Sequence, residues 1–258
     1  MSKKNKILLT FDLEEFDLPI EYGNQIDEKE MFKVTSDGLE NLLKILSEYK
    51  IRATFFTTAN YAEKHPKIIE RIVSENNELA SHMYYHSDYD ESHILKSKKK
   101  LEEISNTSIN GIRMPRLKRV NLDKIKEAGY LYDSSLNPTF IPGRYNNLRK
   151  QRVLFTDPNT DLKVLPFSTS IFRIPLFWLS FKNFNLQLYI LLCNYALKRD
   201  SYLHLYFHPW EFANLSKYKI PFYIKRNSGH IMSTRFKYLL NKLSPTNEYL
   251  TITEFLTK

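Results

Sequence analysis

Short apolar runs alternate along this chain with longer stretches in which apolar residues recur at helical spacing. The short runs are rich in β-branched and aromatic residues, which predicts strands at residues 6–11, 51–57, 78–81, 109–112, 130–132, 162–167 and 202–207. Apolar residues three and four apart predict helices at about 36–49, 62–74, 92–104, 122–128, 186–198 and 231–243. Ser36 is the expected N-cap of the first helix, and residues 249–255 are expected to form a last strand or tail.

Strands that alternate with helices in this way are typical of a parallel α/β sheet or barrel. The length of 258 residues suits one core, so we expect a single domain over residues 1–258. In α/β barrels, polar residues that directly follow the strands meet at one face. The candidates in such positions are Asp12, Glu14, His82, His86, Arg113, Asp133 and His208.

The first predicted strand ends in carboxylates. Because side chains alternate along a strand, Asp12 and Glu14 share one face, whereas Glu15 lies on the other unless the chain turns after Leu13. Two carboxylates at the mouth of an apolar strand repel each other, so a cation is their natural compensation. A solvated strand end paired with a Lys or Arg is the alternative.

Two pairs of histidines are candidates for chemistry. His82 and His86 are four residues apart, which on a helical turn places both imidazoles on one side, close enough to hold one divalent ion. Surface or capping histidines are the simpler interpretation of that pair. His204 and His208 share one face of the last strong strand. A second metal site is conceivable there, but the position of His208 at the strand end favours a general acid or base.

The composition narrows the class of protein and its partners. An apolar fraction of 42% and an aromatic fraction of 14% indicate a globular chain. The net charge of +9 favours anionic partners such as a nucleotide-sugar, a lipid pyrophosphate or an acidic membrane surface, and no nucleic-acid motif accompanies it. Cys193 is the single cysteine, which excludes an internal disulfide. The basic N-terminus passes directly into a strand without a signal-peptide core, so we expect a cytoplasmic protein.

Five motifs occur in the order and spacing of the polysaccharide deacetylase family, the NodB-homology group. They are Thr10-Phe11-Asp12, Ser81-His82 with His86, Arg113 with Pro115, residues 129–135 and Phe207-His208-Pro209-Trp210-Glu211. The chain resembles this family from residue 6 to about residue 212, and within it a bacterial branch associated with surface-polysaccharide gene clusters. The resemblance implies a distorted (β/α)7-type barrel, NodB-like, with a single catalytic domain.

The resemblance also implies a divalent metal, expected to be Zn²⁺, held by one carboxylate and two histidines. By position, His82 and His86 are the histidine ligands, and Arg113 orients a general base. That base is Asp12, and His208 is the general acid. The family has a second aspartate where this chain has Leu13. The carboxylate ligand is therefore expected to be Glu14, with Glu15 as the alternative.

Substrate contacts are expected from Arg116, Trp210 and Asp133. Arg116 stands where the family often has an aromatic or small residue, which points to an anionic group on the substrate. Asp133 is a candidate either for binding sugar hydroxyls or for tuning His208. The apolar residues 176–181 are expected to form a buried core helix, with contact to a lipid carrier or membrane as the alternative.

The expected function is metal-dependent removal of an N-acetyl group from an amino sugar of a surface glycan or its precursor. That sugar is expected to be free, nucleotide-linked or lipid-linked, and the reaction to occur at the cytoplasmic membrane face. Two alternatives remain: hydrolysis of a small cyclic or linear amide on the same scaffold, and a catalytically inactive carbohydrate-binding relative.

Overall fold

The computed structural model describes residues 5–88 and 90–258. Its strands are β1 (Asn5–Leu13), β2 (Thr54–Thr57), β3 (Glu78–Ser81), β4 (Gly111–Ile112), β5 (Tyr132–Asp133), β6 (Phe140–Ile141), β7 (Tyr145–Asn146), β8 (Phe155–Thr156), β9 (Lys163–Val164), β10 (Tyr202–Phe207) and β11 (Asn247–Tyr249). Its α-helices are α1 (Leu18–Glu21), α2 (Glu28–Glu48), α3 (Ala59–Lys64), α4 (Pro66–Ser74), α5 (His93–Ser105), α6 (Leu122–Glu127), α7 (Trp178–Asn183), α8 (Leu186–Asp200), α9 (Phe222–Lys225), α10 (His230–Leu243) and α11 (Ile252–Thr257). Short 3₁₀ turns occur at Pro115–Leu117, Ile171–Arg173, Pro209–Phe212 and Ser244–Thr246.

Nine strands of the described residues form one sheet, in the order β10-β1-β2-β3-β4-β5-β9-β8 with β11 paired to β1. All neighbours from β10 to β9 run parallel, and β8 joins β9 antiparallel. The sheet curls into a half-barrel. Beyond β9, the N–H of Ser168 donates to the carbonyl of His204 in β10 at 3.1 Å. The expected distorted (β/α)7-type barrel, NodB-like and a single domain, is confirmed.

Strand β1 has strands on both sides and fixes the position of the carboxylates at its end. It pairs with β10, β2 and β11, and its residues from Ile7 onward are buried. Phe11 stacks on Phe55 of β2 with ring centroids 5.2 Å apart. Because β1 is hydrogen-bonded to strands on both sides and its residues are buried, its carboxyl end has little freedom to move.

A glycine brings helix α2 against the turn that follows β10. A Cβ at Gly38 would lie 2.0 Å from the carbonyl oxygen of Pro209, so a larger residue would force the two backbones apart. This close approach holds the turn at Pro209–Phe212, and with it His208, at the end of the sheet.

Several sequence-based boundaries were wrong, and three of them have a clear local cause. Helix α2 begins at Glu28, and Ser36 lies inside it with its hydroxyl 2.8 Å from that of Tyr61. The helix expected at 62–74 is divided into α3 and α4 by the non-helical His65, which precedes a proline. The strand or tail expected at 249–255 ends at Tyr249, because Thr251 caps α11.

Among helices built from the described residues, none combines the length and the apolar content that crossing a bilayer requires.

Candidate active site

Predicted site residues from three separate strands meet in a cavity of about 350 Å³ at the carboxyl end of the sheet. Asp12 is the penultimate residue of β1 and Glu14 follows that strand. His82 and His86 follow β3, and His208 follows β10. All five line the cavity. The convergence has a simple cause, since parallel strands deliver the residues after them to the same edge.

Glu14, His82 and His86 form a compact group of possible metal ligands, with one ligand atom from each residue within 4.8 Å of the others. Glu14 Oε2 lies 3.1 Å from Nε2 of His82 and 3.1 Å from Nε2 of His86. The expected helical turn is wrong, because residues 82–86 form a loop in which Met83 has a φ of +64°. The loop, rather than helical spacing, brings the two imidazoles together.

Each histidine of this group is oriented by an acceptor on its other ring nitrogen. His82 Nδ1 donates to the carbonyl oxygen of Arg113 at 2.8 Å, and His86 Nδ1 donates to Asp17 Oδ2 at 2.9 Å. Both Nε2 atoms therefore present lone pairs toward Glu14 when the rings are neutral. Carboxylates or carbonyls behind histidine ligands are usual in metal sites. Sequence reasoning missed Asp17.

The charges around Glu14, His82 and His86 favour a proton or a cation between these side chains. Burial lowers the pKa of His86, but the carboxylates of Glu14 and Asp17 outweigh it and raise that pKa to about 9. A proton or a cation must therefore separate the carboxylate from the imidazoles. One carboxylate oxygen and two imidazole nitrogens, each with an outer partner, are donors that Zn²⁺ and similar divalent ions accept. The residues thus fit a divalent metal.

Glu15 points away from the cavity and has partners of its own. Its Oε2 accepts from the hydroxyl of Thr58 at 2.8 Å, and its Oε1 accepts from the side-chain amide of Asn60 at 3.1 Å. Strand alternation persists past Leu13, as the same-face interpretation of Asp12 and Glu14 requires. Of the two candidate carboxylates, the structure places Glu14 beside the histidines.

Asp12 is held by the buried guanidinium of Arg113. Arg113 Nη1 donates to Asp12 Oδ1, and Arg113 Nη2 donates to the hydroxyl of Thr10 at 2.9 Å. Burial raises the pKa of Asp12, but the charge of Arg113 and the nearby His82 and His208 outweigh it and leave the pKa below its ordinary value. Asp12 is therefore ionised at neutral pH, as a general base must be.

His204 lies beneath this ion pair. Its Nδ1 donates to the carbonyl oxygen of Pro166 at 3.1 Å, and its Nε2 lies 3.2 Å from Arg113 Nη2. Burial and the Arg113 charge lower the pKa of His204 to about 3. A neutral ring that accepts from Arg113 supports the ion pair, which is a different arrangement from the second metal site considered from the sequence.

His208 faces both carboxylates from the opposite side of the cavity. Its Nε2 lies 3.9 Å from Asp12 Oδ2 and 3.9 Å from Glu14 Oε1. Its Nδ1 donates to Glu211 Oε1 at 3.2 Å, and the same oxygen accepts the His208 backbone N–H at 2.8 Å. Burial lowers the pKa of His208, but Glu211 together with Glu14 and Asp12 raises it above its ordinary value. His208 can therefore carry a proton at neutral pH.

Glu211 occupies the place beside His208 that sequence reasoning considered for Asp133. Asp133 Oδ1 instead accepts from the hydroxyl and the N–H of Ser135, and Asp133 is not among the described residues that line the cavity. Burial raises the pKa of Asp133 to about 6 despite those hydrogen bonds and the charge of Arg113. The signal for Glu211 was present in the sequence, because a Glu three residues after a turn-starting residue is the spacing of a capping box.

The remaining substrate candidates, Trp210 and Arg116, both line the cavity. Trp210 stacks on His208 with ring centroids 4.5 Å apart, and its indole N–H donates to Glu14 Oε1 at 3.2 Å. Arg116 lines the mouth, where its Nε pairs with Glu21 Oε1 at 2.7 Å.

The apolar segment at 176–181 divides between the core and the site. Leu176 and Phe181 are buried, as a core helix requires. Phe177, Trp178 and Leu179 instead form one wall of the cavity.

A curled parallel sheet with its polar site at the strands' carboxyl edge defines this chain as an α/β half-barrel protein. A family model described as polysaccharide deacetylase matches residues 2–132. The chain belongs to the polysaccharide deacetylase family.

A curated relative agrees with this membership, and a solved structure shares the fold. A chitooligosaccharide deacetylase of Bradyrhizobium sp. (strain ANU 289) is 29% identical over 72 residues, which are 26% of this chain and 33% of that protein. The chain thus matches less than two thirds of that relative's length. A structure described as a polysaccharide deacetylase from Mycobacterium smegmatis superposes with a TM-score of 0.70 at 17% identity, covering 100% of this chain and 91% of that one.

Two further solved structures share the fold and carry other descriptions. Puue allantoinase superposes with a TM-score of 0.68 at 15% identity, covering 100% of this chain and 91% of that one. BA3943 of Bacillus anthracis, described as a CE4 family pseudoenzyme, superposes with a TM-score of 0.54 at 12% identity, covering 99% of this chain and 66% of that one. At these identities the likeness concerns the fold alone.

Proposed function

We propose that this protein is a metal-dependent hydrolase that removes the N-acetyl group from an amino sugar. The observation that carries the proposal is the convergence of Glu14, His82 and His86 through oriented donor atoms, with Asp12 and His208 in the same cavity. Three protein ligands leave coordination positions open, which is typical of hydrolytic rather than structural metal sites. Family membership supports the substrate class, and the named relative supports an N-acetylated carbohydrate.

Each residue has a distinct task in the proposed reaction. When bound, a divalent ion supplies Lewis-acid chemistry, since it polarises an amide carbonyl and acidifies water. Asp12, held ionised by Arg113, accepts the proton of the water that attacks the acetyl carbonyl. His208 donates a proton to the amine nitrogen as the C–N bond breaks, which yields acetate and a free amino sugar.

The cavity suits a sugar as the group bearing the amide. Its volume of about 350 Å³ lies near the lower end for small-molecule sites, which fits one or two sugar rings. Aromatic side chains form much of its wall, among them Tyr145, Phe177, Trp178 and Tyr206. Aromatic faces with polar edges combine apolar contact with hydrogen bonding, as sugar binding requires.

Acetate release tests the proposal. The metal-loaded protein should release acetate from N-acetylated sugars or chitooligosaccharides. Asp12→Asn should lower kcat by about 10² or more, because it keeps the shape of the base and removes its proton affinity. A protein that retains its metal and shows the same rate with Asp12→Asn would contradict the assigned chemistry.

The same assay separates the two rival functions. Faster hydrolysis of small ureides or imides than of acetylated sugars would favour the amide hydrolase that the allantoinase-like fold allows. Tight sugar binding without hydrolysis would favour an inactive relative. The intact set of Asp12, Arg113 and His208 supports activity, and a glycan precursor on the cytoplasmic side remains part of the proposal.

A further inference from the structure

A second cavity, of about 610 Å³, adjoins the one that holds the candidate ligands. We call it the basic pocket. Its charged lining consists of Arg116, Lys118, Arg119, Arg144 and Glu21. The two cavities share residues, among them Arg116, Arg144 and Tyr145. A molecule bound in the first cavity can therefore extend directly into the basic pocket.

Arg116 connects the basic pocket to the catalytic residues. Its Nη2 lies 3.4 Å from Asp17 Oδ2, the oxygen that accepts from His86 Nδ1 at 2.9 Å. Only one carboxylate therefore separates this guanidinium from a candidate metal ligand. The basic pocket therefore adjoins the group of candidate metal ligands.

Among the arginines of the basic pocket, Arg119 and Arg144 are less compensated by the described carboxylates than Arg116, which pairs with both Glu21 and Asp17. Glu21 is the acidic residue of the lining, 2.7 Å from Arg116 Nε and 4.0 Å from Arg144 Nη2. Arg119 is held by a neutral partner, the side-chain oxygen of Asn147 at 3.0 Å. The Arg144 side chain is 58% exposed, so its charge remains available to a ligand. Guanidinium groups on a concave surface focus the electrostatic field and attract anions.

We propose that the basic pocket binds a phosphate or diphosphate group attached to the sugar whose N-acetyl group reacts. This assignment rests on the proposed N-deacetylase function. Phosphate at C1 and acetamide at C2 stand on neighbouring carbons of a 2-acetamido sugar, which agrees with adjoining cavities. Guanidinium groups match phosphate oxygens in fork geometry, and several of them suit the multiple charge of a diphosphate better than the single charge of a carboxylate.

Titration with inorganic pyrophosphate tests the proposal without reference to catalysis. The unmodified protein should bind pyrophosphate at low ionic strength, and binding should weaken with salt. The double variant Arg119→Gln, Arg144→Gln should weaken binding by about tenfold or more. Lys217→Gln, an exposed cation outside the basic pocket, is the matched control and should leave binding unchanged. Absence of binding at millimolar pyrophosphate, or equal loss in the control, would overturn the assignment.

Competition against pyrophosphate shows whether the phosphate or diphosphate belongs to a nucleotide-linked or a lipid-linked sugar. Stronger competition by UDP indicates a nucleotide-linked sugar, and stronger competition by farnesyl diphosphate indicates a lipid-linked one. Stronger binding of lactate or glucuronate than of pyrophosphate would overturn the choice of phosphate over carboxylate. Pyrophosphate binding without any acetate release would refute the proposed deacetylation while leaving the anion site in place.

Discussion

Trp210 donates its indole N–H to Glu14 Oε1 at 3.2 Å, across 196 residues of sequence. The other oxygen of Glu14 faces both histidines. The segment after β10 therefore orients the carboxylate that follows β1. Trp210 also stacks on His208, so one side chain contacts both the candidate metal site and the candidate acid.

Trp210→Phe should weaken metal affinity by roughly tenfold, because it removes the hydrogen bond that orients Glu14 and keeps an aromatic ring. Competition with a chelator of known affinity provides the measurement. The chain has two tryptophans, and Trp178→Phe is the matched control because Trp178 contacts Trp210 edge to face rather than Glu14. Equal losses in the two variants would show that bulk, and not the hydrogen bond, matters.

Glu211→Gln should move the alkaline limb of the kcat profile to lower pH by about one unit. The general acid must be protonated, and the Glu211 carboxylate helps to raise the pKa of His208. Glutamine keeps an oxygen for the two His208 donors but removes the charge, so the His208 proton is lost at a lower pH. Loss of the Glu211 charge near buried Lys182 also lowers stability. The measurement is therefore the pH of the alkaline limb and not the size of kcat.

Asp133→Asn is the control for that experiment, because Asp133 bonds Ser135 rather than His208. The limb should stay where it is in the unmodified protein. A shift with Asp133→Asn and none with Glu211→Gln would return the tuning role to Asp133.

Asp133→Asn should also increase the free energy of unfolding at neutral pH, by about 1–3 kcal/mol. The folded pKa of about 6 lies above the ordinary 3.8, so between these values the folded state binds more protons than the unfolded state. The stability of the unmodified protein therefore falls as the pH rises through this window. Denaturant titrations at several pH values measure the free energy of unfolding of both proteins. The difference between the variant and the unmodified protein should disappear below pH 4. A difference in the free energy of unfolding that does not change with pH would contradict a buried Asp133 that binds a proton.

The alternation of strands and helices was readable from the sequence because it depends on local periodicity. Buried strand β1 and the leucine stripe of α2 follow directly from their residues. The start of α2 was not readable, since Ser36 resembles a cap but its hydroxyl contacts Tyr61 of a neighbouring helix. Similarly, the short hairpin of β6 and β7 lies between the strands predicted at 130–132 and 162–167, where no strand was predicted.

The site residues that follow predicted strands or belong to the family motifs were predictable from the sequence. Asp17 was missed because its contact with His86 spans 69 residues and follows no spacing rule. The left-handed backbone of Met83, which turns the loop between the histidines, has no sign in the residue type either. The choice between Glu14 and Glu15 depended on where β1 ends, and the partners of Glu15, Thr58 and Asn60, became visible only in the fold.

The central claim is that Glu14, with His82 and His86, holds a metal ion that hydrolysis requires. The most direct test measures bound metal and acetate release together in Glu14→Gln and Glu15→Gln. Glu14→Gln should lose the metal and its activity, whereas Glu15→Gln should keep one metal ion per chain and acetate release within a few fold of the unmodified protein. Retention of both properties by Glu14→Gln, or acetate release that survives complete chelation, would contradict the account.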